Sequence, residues 1–188
     1  MVEQVKILGF VGSLRKGSYN KALMRTAMKL VPENAELEVF DIADIPPFNQ
    51  DFELNPPQVV SDFKVKIRNA DALLIASPEY NYSMPGVLKN AIDWASRPFK
   101  ENPFDGKPVA IISASLGNLG GARMQYHLRQ TFVFLNMYPL NRPEFMLPNV
   151  KDHFDEDGNL TDEETRQRLR ELLEALVKWT CKLKGKPS

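Results

Sequence analysis

The sequence has little cysteine, no excess of charge of either sign and no long hydrophobic run. Cys181 is the one cysteine among 188 residues, so an internal disulfide and a site of several thiolates are both excluded. The 24 basic and 24 acidic side chains balance, which disfavours a nucleic-acid module and a polybasic membrane anchor. No apolar run approaches the roughly 18 residues of a membrane span, and no signal-peptide pattern opens the chain. We therefore expect a cytoplasmic protein without a structural metal, a nucleic-acid partner or a membrane.

The composition is that of one globular domain. Hydrophobic residues make up 43% of the chain and charged residues 26%, which is ordinary for a soluble protein. The length suits a single domain, and the sequence contains no internal repeat and no low-complexity tract. We therefore predict one domain over residues 1–188.

Short apolar runs alternate with segments of helical period. Because the apolar runs are continuous rather than alternating, they predict strands that are covered on both faces, as in a parallel sheet. These predicted strands are Val5–Val11, Ala72–Ser77 and Val109–Ala114, and Leu37–Phe40 is predicted as a weaker second strand. Apolar residues at helical spacing follow in the segments Leu23–Val31, Leu88–Ala95 and Met124–Leu135.

The end of the chain adds a weak strand and a last helix. The strand lies near Glu144–Leu147, and the helix is predicted to begin at Thr161, where Glu164 three residues later forms a capping box. The whole order is βαβαβαβα, then the weak strand and the final helix. This order predicts an α/β fold of three layers with a doubly wound parallel sheet.

The loop after the first strand reads GSLRKGSYN over residues 12–20. In a parallel sheet such loops emerge at one edge, where ligands bind. This loop runs into a helix N-terminus, which favours anions, and Arg15 can add a charge-assisted contact. Ser13, Ser18 and Asn20 can donate further hydrogen bonds. The same residues also suit an ordinary helix cap and turn, so this loop alone leaves both interpretations open.

This first loop lacks the two common nucleotide fingerprints. It has the spacing Gly12-x4-Gly17, but Ser-Tyr stands where a P-loop has Lys-Ser/Thr, which disfavours hydrolysis of a magnesium-bound nucleotide. Gly9 and Gly12 do not form the dinucleotide fingerprint GxGxxG. Asp41, after the second strand, is therefore interpreted as a turn or helix cap rather than as a ribose ligand.

Two further loops lie at the same predicted edge. The loop SPEYNYSMPG over residues 77–86 combines two stiffening prolines with two tyrosines, which suits a planar ring; the alternative is a braced turn whose tyrosines cover the core. The loop SLGNLGGAR over residues 115–123 has three glycines that permit close backbone approach. Glycine-rich turns are common, but three such loops at one edge indicate a ligand site.

The segments GSLRKGSYN, PEYNYSMPGVLKNAIDW and SLGNLGGAR together resemble the NAD(P)H-dependent FMN reductase and quinone reductase family, which includes chromate and azo-dye reductases. The resemblance runs from Val5 to about Leu176, and the second segment is its most specific part. It implies a flavodoxin-like fold, whose five-stranded parallel sheet has the order 2-1-3-4-5. In that order the loops after strands one and three lie on either side of the switch point.

The resemblance also implies which residues bind FMN. The FMN phosphate would be held by Ser13, Arg15, Ser18 and Asn20, with Tyr19 beside them in the cofactor site. The isoalloxazine ring would be lined, mostly through backbone groups, by Pro78, Glu79, Tyr80 and Asn81. Ser115 and Gly117 would touch the other edge of the ring. No side chain is implied as catalytic and none as a metal ligand, because hydride transfer takes place at N5 of the flavin.

The implied activity is an oxidoreductase that passes two electrons from NADPH or NADH through FMN to small molecules. Quinones, flavins, azo compounds and chromate are the expected acceptors. A non-catalytic electron carrier of the flavodoxin type is the alternative, and zero net charge and Arg15 favour the reductase over it. A relative that has lost its flavin is disfavoured by the three intact loops.

The family's proteins are usually dimers or tetramers, so a homodimer or homotetramer is expected. The segment Phe132–Leu135 is apolar on all sides of its helix, which suits a subunit contact but also suits a helix end buried in its own domain. Arg123, Tyr126 and Glu144 are predicted to form a polar network there. His127, His153 and Cys181 are interpreted as structural or solvent-facing residues.

Overall fold

The computed structural model describes residues 4–185, in which six strands and five α-helices alternate along most of the chain. The strands are β1 Val5–Val11, β2 Ala35–Phe40, β3 Ala72–Ala76, β4 Pro108–Ala114, β5 Tyr138–Pro139 and β6 Phe145–Leu147. The helices are α1 Tyr19–Leu30, α2 Gln58–Asn69, α3 Gly86–Ala95, α4 Ala122–Leu135 and α5 Glu163–Leu183. α2 is the helix that the predicted order implies between the second and third strands. None of the helices in residues 4–185 is long and apolar enough to cross a membrane.

The sheet is parallel and has the order β2-β1-β3-β4-β5, which confirms the predicted flavodoxin-like topology. Val11 at the end of β1 pairs with Ala76 at the end of β3, and Ala76 pairs with Ile112 of β4. Because these three strands end at nearly the same level, the loops that follow them meet at one edge of the sheet.

The fifth position of the sheet is divided between two short strands. β5 pairs with Pro108 and Val109 at the start of β4, and β6 pairs with the segment Ile112–Ala114 at its end. The predicted weak strand is confirmed as β6, whereas β5 was not predicted. Pro139 in β5 and Pro143 after it have no N–H group, and an edge strand tolerates proline because its outer side makes no ladder hydrogen bonds.

Side chains bind the backbone carbonyl groups along this interrupted edge. Trp179 Nε1 donates to the carbonyl of Tyr138 at 3.1 Å. An Arg129 nitrogen donates to the carbonyl of Leu140 at 2.9 Å, and Gln125 Nε2 to that of Phe145 at 2.8 Å. These bonds add side-chain partners to the backbone of the β5 and β6 segment.

Two apolar cores cover the two faces of the sheet. Every residue of β3 and β4 is buried, as their continuous apolar runs predict. One face packs against α1 and α5 through residues such as Leu23 and Leu173. The other face packs against α2, α3 and α4 through residues such as Phe63 and Trp94.

The last helix begins later than predicted. Its N-cap is Asp162, whose carboxylate accepts the N–H of Thr165 at 2.9 Å, so the predicted capping box of Thr161 and Glu164 is wrong. Thr161 bonds instead to the carbonyl of His153 at 3.4 Å. Hydrogen bonds from the side chain and the backbone of Thr165 lower the pKa of Asp162, and His153 adds a smaller contribution in the same direction. A charged carboxylate at the positive end of the helix explains why Asp162 caps in place of Thr161.

Candidate functional site

An open cleft lies at the edge of the sheet where β1, β3 and β4 end. It is lined by nine of the predicted cofactor-binding residues, namely Ser13, Arg15, Ser18, Tyr19, Asn20, Pro78, Glu79, Tyr80 and Ser115. Two other predicted residues, Asn81 and Gly117, are exposed next to the lining segments. Ala114, Leu116 and Val150 also line the cleft and were not predicted. The three loops therefore do come together.

One end of the cleft is formed by the loop 12–20 and suits an anion. Ser18 is the N-cap of α1, and its Oγ accepts the N–H of Lys21 at 3.4 Å. The first N–H groups of a helix have no partner within the helix, and the helix dipole places partial positive charge there. Arg15, which is exposed, adds a full positive charge to the same lining, and Ser13 adds a hydroxyl group.

Gly12 is required because the first and second loops approach each other closely. A Cβ atom at this position would lie 2.8 Å from Ser77 Oγ and 3.1 Å from Cβ of Leu88. The N–H of Gly12 also donates to the carbonyl of Ala76 at 2.8 Å. The turn out of β1 therefore has no space for a side chain.

Asn20 has a different partner from the predicted phosphate. Its side-chain amide donates to the carbonyl of Ala114 at 3.0 Å, and its side-chain oxygen accepts the N–H of Ala114 at 3.0 Å. The side chain is buried. Asn20 therefore lines the cleft as a tether between α1 and the end of β4.

The loop 77–86 contains a tight turn with unusual backbone angles. The N–H of Tyr80 donates to the carbonyl of Ser83, and the N–H of Ser83 donates back to Tyr80, both at 2.9 Å. The two residues between them, Asn81 and Tyr82, have φ angles of 50° and 66°. Positive φ at both central positions is typical of a two-residue type I′ turn, but it is rare for tyrosine. The guanidinium carbon of Arg123 lies 3.6 Å from the centre of the Tyr82 ring, and this contact holds the turn from outside.

Glu79 is bound to the start of α4. One carboxylate oxygen accepts the N–H groups of Arg123 at 3.1 Å and Met124 at 3.2 Å. The other accepts Nε of Arg123 at 2.6 Å and pairs with its Nη2 at 2.5 Å. The Glu79 side chain is only 9% exposed.

The predicted network of Arg123, Tyr126 and Glu144 is found only in part. The hydroxyl of Tyr126 donates to Glu144 at 3.3 Å, whereas Arg123 binds Glu79 instead. Sequence reasoning missed the pairing of Glu79 with Arg123. The signal for it was that the N-cap position of α4 holds Gly121 instead of Ser, Thr, Asp or Asn.

In the loop 115–123 the glycine requirement falls on Gly120 and Gly121, whose φ angles are 58° and 90°. A Cβ at Gly120 would lie 2.9 Å from the backbone of β6, whereas one at Gly117 would meet only Ser115 Oγ, at 3.7 Å. The carbonyl of Ser115 accepts the N–H of Val150 at 3.1 Å. This bond brings the segment after β6 to the cleft.

Neither histidine lines the cleft. His127 is exposed and lies 3.1 Å from Ser83 Oγ, and His153 lies 3.2 Å from a carboxylate oxygen of Asp162. Cys181 is buried in the core, in agreement with a packing role. Within residues 4–185, no three His, Cys, Asp or Glu side chains are grouped so that they could hold a metal ion.

The chain is similar to known proteins over almost its whole length. A family model described as NADPH-dependent FMN reductase matches residues 5–152. An NAD(P)H-dependent FMN reductase from Pseudomonas aeruginosa is 53% identical over 98% of this chain and 100% of its own length. An NAD(P)H:quinone oxidoreductase from Solanum tuberosum is 51% identical over 97% and 96% of the two chains. The solved structure of the flavoenzyme NAD(P)H:(acceptor) oxidoreductase from Paracoccus denitrificans has a TM-score of 0.87 and 37% identity, covering 95% of this chain and 98% of that one.

Proposed function

The chain belongs to the NADPH-dependent FMN reductase family, and from this premise we propose that it passes two electrons from NAD(P)H through FMN to quinones. As a member of the family it is an oxidoreductase with FMN as cofactor and NAD(P)H as co-substrate. This membership also favours the enzyme over the electron carrier. The quinone acceptor is supported by the Solanum tuberosum relative, which is named for that activity.

The residues of the cleft fit FMN at both of its ends. A phosphate suits the N-terminus of α1 with Arg15 and the hydroxyls of Ser13 and Ser18, because each offers hydrogen-bond donors or positive charge. Asn20 supports this end indirectly, since its amide is bound to Ala114. A planar ring suits the backbone of Pro78, Glu79, Tyr80 and Asn81, with Ser115 and Gly117 at the other edge.

FMN supplies the hydride chemistry when it is bound, and the protein supplies position and access. Pro78 stiffens the loop 77–86, and its tight turn fixes the backbone groups that would meet the ring. Tyr80 and Tyr82 are 51% and 65% exposed, so they offer flat apolar surface at the mouth of the cleft for nicotinamide or quinone. We assign no catalytic role to any side chain, in keeping with the positions of His127 and His153.

The finer parts of the proposal concern acceptors and assembly. We propose that free flavins, azo compounds and chromate are also reduced, since an open cleft discriminates little among acceptors.

We further propose one FMN-binding domain that acts in the cytoplasm as a homodimer or homotetramer. Val133 and Phe134 on α4 are 83% and 65% exposed, and the ring of Phe134 packs on that of Phe99, which supports a subunit contact. The molar mass of V133D and of wild type, measured by light scattering, tests the assembly. V133D is expected to form the smaller species.

A visible absorption spectrum tests the central proposal. The purified protein, incubated with FMN and separated from the excess, should retain a flavin spectrum that bleaches on anaerobic addition of NADPH or NADH. Addition of 1,4-benzoquinone should then restore it. A spectrum that neither nucleotide bleaches contradicts the proposal, as does bleaching that the quinone cannot reverse.

A further inference from the structure

We propose that Glu79 is a positioning residue: its largely buried carboxylate caps α4 and thereby sets the shape of the loop that receives the ring of FMN. The inference rests on the proposed function, because it concerns the same cleft. Glu79 lies in the loop 77–86, and Arg123 lies 44 residues later at the end of the loop 115–123. The carboxylate of Glu79, and not a backbone group, connects these two loops.

α4 lacks a capping side chain of its own. Its N-cap position is Gly121, which has a φ angle of 90° and no side chain to accept a hydrogen bond. Helix N-terminal N–H groups need acceptors, which Ser, Thr, Asp or Asn normally supply from the N-cap itself. Here one oxygen of Glu79 accepts two of them, those of Arg123 and Met124. Its negative charge also suits the positive end of the helix dipole.

Arg123 connects this cap of α4 to the tight turn of the loop 77–86. Its guanidinium group binds the other oxygen of Glu79 and also lies 3.6 Å from the centre of the Tyr82 ring. The carboxylate, the guanidinium and the aromatic ring are therefore connected in one cluster. Because Tyr82 has a φ angle of 66°, which disfavours a bulky side chain, the contact with Arg123 stabilises a conformation that the loop would otherwise adopt rarely.

The cluster of Glu79, Arg123 and Tyr82 acts on FMN binding through the backbone of the loop. The groups expected to meet the ring are backbone groups of the segment 78–81, so binding needs that backbone to be in place before the ligand arrives. If the cap is lost, only a fraction of the molecules have the competent loop, and the apparent affinity falls by that fraction. Glu79 thus acts on the cofactor through the loop that it fixes.

The test uses the full chain, with and without FMN. The variants are Glu79→Ala, Arg123→Ala and, as the matched control, Asp93→Asn, which breaks the exposed ion pair of Lys89 and Asp93 on α3. We measure hydrogen exchange of the FMN-free protein and the Kd for FMN by fluorescence quenching. Glu79→Ala should speed exchange in the segment 77–83 and in the first turn of α4 together, and should weaken FMN binding about tenfold. Arg123→Ala, which keeps both backbone bonds to Glu79, should weaken it about threefold.

The readouts separate positioning from plain stability. Loss of a residue that only stabilises the fold would speed exchange throughout the chain and would leave the FMN Kd of the folded protein unchanged. The control Asp93→Asn should likewise leave the Kd unchanged. The inference is overturned if Glu79→Ala leaves the Kd within about twofold of wild type, or if faster exchange is confined to α4. If Glu79→Ala does not fold, Glu79→Gln, which keeps the shape and one acceptor, replaces it. Its Kd for FMN should be about threefold weaker than that of wild type, and the same twofold limit on the Kd applies. If wild type itself binds no FMN, the proposed function fails, whereas coupled exchange in the two segments still tests the cap.

Discussion

At the phosphate end of the cleft, the hydroxyl groups and the positive charge come from the one stretch 12–20, which ends in its own helix cap. At the ring end, the loop 77–86 takes its shape from α4, whose first residues lie 44 positions later. Side chains at the first end therefore line the cleft directly, and the exposed Arg15 can change without disturbing the fold. At the second end, binding and local structure depend on the same contacts. Asn20 is the exception at the phosphate end, because its partner lies in β4.

The largest expected effect comes from Asn20→Ala, which would break that one long-range tether. The carbonyl and N–H of Ala114 would both lose a buried partner, at roughly 1–3 kcal/mol each. The melting temperature of the FMN-free protein should fall by roughly 4 °C or more. Asn118→Ala, at an exposed asparagine of the third loop, is the control. Equal melting temperatures for the two variants would show that the phosphate end needs no support from β4.

Arg15→Ala should separate binding from stability most clearly. Loss of a charge-assisted hydrogen bond worth about 1.5–3 kcal/mol should raise the Kd for FMN roughly tenfold to a hundredfold. Since Arg15 is exposed, the melting temperature of the FMN-free protein should not change. Lys16→Ala removes an equal charge from the next exposed position and should have a smaller effect. An unchanged Kd in Arg15→Ala would refute the phosphate assignment.

Ser18 tests whether one residue both caps α1 and faces the phosphate. Ser18→Ala should destabilise the protein by about 1 kcal/mol, the usual effect of losing an N-cap. Ser18→Asp restores a capping oxygen but adds a negative charge beside the phosphate. It should therefore melt near wild type and yet bind FMN more weakly than Ser18→Ala does. Tighter binding by the aspartate variant would place the phosphate elsewhere.

The smallest effect is expected at Asp162, a cap that lies outside the cleft. Hydrogen bonds from Thr165 lower its pKa, so its stabilising contribution is present above the ordinary aspartate pKa of about 4 and is lost as pH falls through the lowered value. Asp162→Ala should melt below wild type at pH 7, and the gap should narrow under acidic conditions below about pH 4. The Kd for FMN should stay constant. A gap that does not change with pH would mean that the charge is not what caps α5.

The sheet and most of the cleft could be predicted because their signals are local. Continuous apolar runs marked β1, β3 and β4, and the resemblance supplied the strand order that the structure confirms. The loops 12–20, 77–86 and 115–123 meet because parallel strands end at one edge. β5 was missed because two residues, one of them Pro139, carry no apolar pattern.

The partners within the site were not predictable in the same way. Asn20 was expected to bind phosphate because its side-chain amide can donate a hydrogen bond and because the resemblance implied it, yet that amide is bound to Ala114, 94 residues away. The sequence did not indicate which of the three glycines of the loop 115–123 is restricted, and it is the close approach of β6 that restricts Gly120. Val150 lies far along the chain from the three loops, yet it lines the cleft, where its N–H is bound to the carbonyl of Ser115. In each case the decisive contact is tertiary, and no spacing within a loop reports it.

The divided fifth position of the sheet bears on aggregation. An open edge strand presents free carbonyl and N–H groups on which a strand from another molecule can add. Here the edge is divided into β5, of two residues, and β6, of three, and Pro139 of β5 has no N–H group. An added strand would therefore find only two short ladders, separated by five residues, along this edge. This interruption disfavours growth of the sheet from one molecule to the next.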